Sequence, residues 1–121
     1  AWMLYPDGYD VMERWQRDPM SRRFNAFVYS DVRDVVVAIE QCLEAEIEGS
    51  HVLNICAADT CMNIESGKLA DQAFPGIELK RPLEGFESFV STEAARELIG
   101  YLPQYSWREQ SLSSTSERKE E

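Results

Sequence analysis

The chain has 121 residues, 44% of them apolar and 11% aromatic, which is enough for one modest core. A formal charge of −10 and a pI near 4.5 argue against nucleic acid and membrane as partners, since both select basic surfaces, and read as solubilising charge. No apolar run approaches the ~20 residues of a membrane span, and three cysteines without framework spacing fit a reducing, cytoplasmic compartment.

Trp2-Met-Leu-Tyr5 reads as a short apolar strand, and Pro6-Asp-Gly8 ends it with turn chemistry. A buried strand at the extreme end of the sequence implies that the chain is cut from something longer. Asp10 with Glu13 resembles a capping box for a helix to about Arg17, which Pro19 stops. Val11, Met12 and Trp15 form its apolar face, and Arg22 and Arg23 sit in a basic loop that follows.

The organising stretch is 27–39. Val28 and Tyr29 suit a strand. Ser30 and Asp31 are N-cap residues, and Asp34 suits the first turn of the helix they open. Val32, Val36, Ile39 and Leu43 recur at helical spacing, widened by Val35 and Val37, so this face is expected to be buried through a helix running to about Glu46. Residues 51–57 read as a second buried strand, 65–73 as a helix capped by Asn63, and 77–79 as a short strand. Ser91 or Thr92 caps a last helix, with Gly100 just past its end. Trp107 is a packing anchor, and 110–121, rich in Ser and charge, reads as a disordered tail. The expected fold is therefore α/β, with few short strands and about four helices, too few for a complete doubly wound domain.

The chemistry-bearing residues are sparse. The six glycines form no phosphate-binding loop. His51, Cys56 and Cys61 match no metal-ligand spacing and lack a fourth ligand, so no metal site is expected. Cys61 lies in a loop after a strand, where α/β folds place function, although a packed thiol is the commoner role. Asp31 and Asp34 are explained by capping more readily than by acid–base work. Arg81 can hold a carboxylate or phosphate bidentately, or simply be solvated.

Several motifs, in order, resemble one family. Tyr29-Ser-Asp-Val-Arg-Asp-Val-Val is similar to the Y-V-D-V-R-D-V-A strand-to-helix passage of extended short-chain dehydrogenases, the NAD-dependent epimerase/dehydratase family. Val52-Leu-Asn-Ile-Cys-Ala-Ala58 resembles the family's next strand. Glu65-x-x-Lys-Leu-Ala70, Phe86-Glu-Ser-Phe-Val-Ser-Thr-Glu-Ala-Ala95, Leu98-Ile-Gly-Tyr-Leu-Pro103 and Ser106-Trp-Arg108 resemble its C-terminal ending.

The resemblance implies an incomplete Rossmann-type fold, in which 1–109 is the C-terminal substrate-binding portion of an NAD(P)-dependent oxidoreductase. The parent enzyme would take a hydride from a sugar-like or hydroxylated small molecule and, as family members often do, dimerise through its N-terminal part. The glycine-rich NAD or NADP loop and the Tyr-x-x-x-Lys pair are missing from this sequence, so it is expected to contain no catalytic or cofactor-binding residue and to be inactive and cofactor-free alone. The family's pocket wall points to Tyr29, Asp31, Cys61 and Arg81 as substrate contacts. Sugar-nucleotide members place an arginine just before the strand. Here Asn25 and Phe27 stand there, which weighs against a nucleotide-sugar substrate. The alternative is a stand-alone, non-catalytic binding or interaction module.

Overall fold

The computed structural model describes residues 2–109. The expected tail at 110–121 lies outside the described residues. Among those described, the order is β1 (Trp2–Leu4), α1 (Val11–Arg17), a 3-10 segment (Pro19–Asn25), β2 (Tyr29–Asp31), α2 (Val32–Glu44), α3 (Ser66–Ala73) and α4 (Glu93–Ile99). This is a small mixed α/β chain around a two-stranded parallel sheet. Trp2, Met3 and Leu4 pair with Tyr29, Ser30 and Asp31. A parallel pair needs a crossover, which α1 and the 3-10 segment supply.

One core gathers Leu4, Met12, Trp15, Phe27, Leu69 and Trp107 between the sheet, α1 and α3. A second, smaller one joins α2 to α4 through Ala38, Ala95, Ile99 and Tyr101. Gly100 ends α4 at φ 74°, where its N–H and that of Tyr101 close the last turn on Arg96 and Ala95.

Three expected elements differ. Residues 51–57 are extended but form no ladder. The Ala57 N–H donates to the Tyr29 carbonyl (2.9 Å) and the Ser30 hydroxyl to the Ile55 carbonyl (2.9 Å), while Val52 is 93% exposed. Residues 77–79 have no strand partner among the described residues, and Ile77 and Leu79 are exposed. Asn63 does not cap α3, which starts at Ser66 after Glu65.

The largest departure is the orientation of α2. Val36, Val37, Ile39 and Leu43, expected inside, are exposed, and Asp34 and Ala38 are buried instead. The helix also stops at Glu44 rather than Glu46. Spacing identified an apolar face correctly, but the described chain packs on the opposite, small and polar face. Asp34 turns inward because its carboxylate accepts from the Gln104 N–H (2.9 Å) and the Tyr105 N–H (3.3 Å). That tether brings the segment after α4 back against the start of α2.

The backbone before β2 is strained. Ala26 and Phe27 both have positive φ, 56° and 61°, a region L-residues occupy at a cost of roughly 1–2 kcal/mol each. Phe27 is held there by edge-to-face packing on Phe74 and Phe89, with centroids 6.4 and 5.8 Å away.

Two outcomes follow for urea unfolding of the chain. Leu43→Gln, at an 83% exposed site, is expected to change stability by less than ~0.5 kcal/mol, whereas Leu69→Ala, fully buried, is expected to cost about 2–5 kcal/mol. Equal losses at the two sites would contradict the orientation of α2. Ala26→Gly relieves the left-handed strain but frees the unfolded chain, leaving an expected net gain of up to ~1 kcal/mol. A loss on that substitution would remove the strain argument.

Candidate functional site

The short strand β2 carries three fully or nearly fully buried residues, two of them polar, and each must find partners inside the fold. Alternation along a strand puts Tyr29 and Asp31 on one face. The Asp31 carboxylate is the N-cap of α2. Its Oδ1 accepts from the Arg33 backbone N–H (2.8 Å) and Nε (2.9 Å). Its Oδ2 accepts from Arg33 Nη2 (2.8 Å) and from the Tyr9 hydroxyl (2.6 Å). Arg33 in turn lies 3.6 Å from the centroid of the Tyr105 ring.

These contacts set the protonation states. Burial alone would raise the Asp31 carboxyl, but the hydrogen bonds from Arg33 and Tyr9 outweigh it and hold the group below its ordinary value. Asp34 goes the other way: burial raises it more than the two backbone N–H groups lower it. The Tyr9 phenol is raised by burial and by its bond to Asp31.

Tyr29 anchors a second network. Its hydroxyl donates to Asp59 Oδ1 (2.6 Å) and accepts from the Trp107 N–H (3.0 Å). Asp59 Oδ2 accepts from Ser106 Oγ (2.6 Å) and pairs with Arg108. The Trp107 indole N–H donates to the Thr60 carbonyl (2.8 Å). Residues 106–108 are thereby latched onto the loop at 59–62, and burial together with Asp59 keeps the Tyr29 phenol protonated.

Cys61 is fully buried under Phe27, to whose carbonyl its N–H donates (3.0 Å). Burial pushes its thiol up to about 11, against the pull of Arg22, so it is a thiol at neutral pH. Arg81 is elsewhere. It grips Glu87 through both terminal nitrogens, at 2.8 and 3.0 Å, on the rim of an open groove of about 330 Å³ that Ser88, Ser91, Thr92, Arg96 and Tyr101 also line.

The four residues expected to contact substrate are thus not gathered in one pocket. Tyr29 and Asp31 meet across Tyr9, whose ring stands edge-on to that of Tyr29 at 6.5 Å. Cys61 lies at the other end of β2, and only Arg81 lines an open groove. Tyr9, Asp59 and Arg108 complete the two networks without having stood out as chemistry in the sequence, although Arg108 belongs to the Ser106-Trp-Arg108 motif. Among the described residues no group of three His, Cys, Asp or Glu side chains could hold a metal, and no helix is long and apolar enough to cross a membrane. His51 sits exposed, with Nε2 2.8 Å from the Glu48 carbonyl.

Arg22, expected in a basic loop, is instead buried. It is 8% exposed, and its guanidinium carbon lies 4.3 Å from the Trp15 centroid, 5.0 Å from Phe24 and 5.2 Å from Trp2. Desolvating an ion costs several kcal/mol, while a desolvated cation–π contact returns about 2 kcal/mol. Its Nε has no acceptor among the described residues.

Comparison with protein-family models, curated proteins and solved structures finds no match to this chain.

The Asp31 contacts have a pH signature. Its folded value is depressed, so its contribution to stability is complete above its unfolded value of ~3.9 and is lost as pH falls through the folded value. Asp31→Asn is expected to cost about 1–3 kcal/mol at neutral pH. The difference between the parent chain and the variant should shrink on acidification. A gap in denaturant-unfolding free energy that stays constant into acid would show that Asp31 is not held as a carboxylate.

Proposed function

We propose that residues 2–109 are the C-terminal, substrate-binding part of an NAD(P)-dependent epimerase/dehydratase-type oxidoreductase acting on a sugar-like or hydroxylated small molecule. The observation that carries this reading is the local structure of its strand-to-helix motif. Tyr29-Ser-Asp-Val-Arg-Asp-Val-Val is a strand lying parallel to its neighbour and passing without a break into a helix, the arrangement the family resemblance calls for.

The unpartnered surfaces support the same reading. A two-stranded sheet is marginal alone, and on β1 Trp2 and Met3 remain 50% and 45% exposed. The apolar face of α2 is likewise open. In this reading a Rossmann half covers these faces and supplies the dinucleotide loop and the Tyr-x-x-x-Lys chemistry. Of the expected contacts, Arg81 is the one already at an open groove, where Glu87 occupies its guanidinium.

The test compares the chain with a longer polypeptide carrying the residues encoded upstream. The chain alone is expected to show no saturable NAD or NADP binding by calorimetry. The longer form is expected to bind the coenzyme and to protect the amides of α2 from hydrogen exchange. Turnover of a substrate with a nicotinamide coenzyme by the 121-residue chain, unaided, would refute the proposal.

A further inference from the structure

Arg22 is the one strongly buried cation whose charge no described side chain answers. Arg33, Arg81 and Arg108 each hold a carboxylate, whereas Arg22 forms no salt bridge among the described residues and leaves Nε without an acceptor. Its surroundings are instead aromatic. Trp2 and Trp15 stand nearly perpendicular, 83° apart at 5.9 Å, and their rings, with that of Phe24, surround the guanidinium. A ring face attracts the positive charge but offers no lone pair to the N–H groups, which point outward in the guanidinium plane. Two oxygens of a carboxylate or phosphate fit that fork. Two walls of the cage stand at the surface, since Phe24 is 79% and Trp2 50% exposed.

We propose that Arg22, in its cage of Trp2, Trp15 and Phe24, is a binding site for a small oxyanion, a phosphate or carboxylate group held by the guanidinium. Trp2 opens β1 opposite Tyr29, so the site belongs to the starting end of the sheet, at the other end from the Leu4–Asp31 pair. It stands on the cage and not on the family reading. Because the chain carries a net −10, anions are repelled at long range and the local cation must capture them.

The experiment titrates the full chain with inorganic phosphate, and separately with acetate, at ionic strength held constant with chloride. It follows the Nε–H resonance of Arg22 and tryptophan fluorescence. A saturable shift of that resonance with millimolar phosphate, accompanied by a fluorescence change, is expected. Saturation by both anions identifies a general oxyanion site, and saturation by phosphate alone a phosphoryl site. Arg22→Lys keeps the charge but loses the fork and should weaken binding roughly tenfold. Arg22→Met, an apolar replacement that buried charges often tolerate, should abolish it. A resonance unmoved by either anion, or a saturable fluorescence change that survives Arg22→Met, overturns the proposal, and the first of these readouts needs no variant.

Discussion

Three acidic or phenolic side chains on or beside β2 hold distant parts of the described chain together. Tyr29, Asp31 and Asp34 lie within six residues, and each reaches a segment far away in sequence: Tyr29 the loop at Asp59 and the Trp107 backbone, Asp31 Tyr9, and Asp34 the backbone of Gln104 and Tyr105. A buried polar group that loses its partner costs more than the bond it made. The requirement to satisfy these three groups therefore fixes where the early turn and the final segment must lie. Hydrophobic packing fills the space so defined, but it does not choose it, because the sheet is only three residues long on each strand.

The inverted helix is a consequence of that requirement. Asp34 and Ala38 sit one turn apart, and with Asp34 committed to the segment after α4, Ala38 is carried to the Ala95–Ile99 face. Small side chains there let the two helices approach closely. The price is that Val36, Ile39 and Leu43 are turned away from everything described. A helix with polar tethers inside and its larger apolar stripe outside is not how a self-sufficient domain of this size arranges itself. This makes a covering partner the simplest physical account of α2, in keeping with the proposed reading.

Local signals were legible in the sequence wherever one residue's chemistry decides the backbone. Pro19 stopping α1, Asp31 capping α2 and Gly100 ending α4 are of this kind. The 51–57 stretch was not, since apolar content marks a segment as extended but cannot supply the neighbour that would make it a strand. Nor could periodicity say which way α2 faces, because it reports that a face is apolar and not whether a partner is present. For the candidate site the shortfall has a different cause. Tyr29 and Asp31 were recognisable from one motif, but Tyr9 reaches Asp31 across 22 residues, Asp59 reaches Tyr29 across 30, and Arg108 reaches Asp59 across 49, and such pairings follow from topology alone.

The arginines show how the same side chain takes different work from its surroundings. In a chain with 22 acidic and 12 basic residues, a carboxylate is almost always available to a cation. Arg33 pairs with Asp31 two residues away and Arg108 fastens its segment to the loop at Asp59, and each also stacks on an aromatic ring, Tyr105 for one and Phe86 for the other. Among the described residues, Arg22 has the rings without the carboxylate. Excess negative charge elsewhere cannot answer it, since screened surface charge does little for a desolvated group. The cage therefore leaves the Nε of its cation without an acceptor among the described residues. An arrangement of that kind persists where something outside the chain, brought in by binding, completes it.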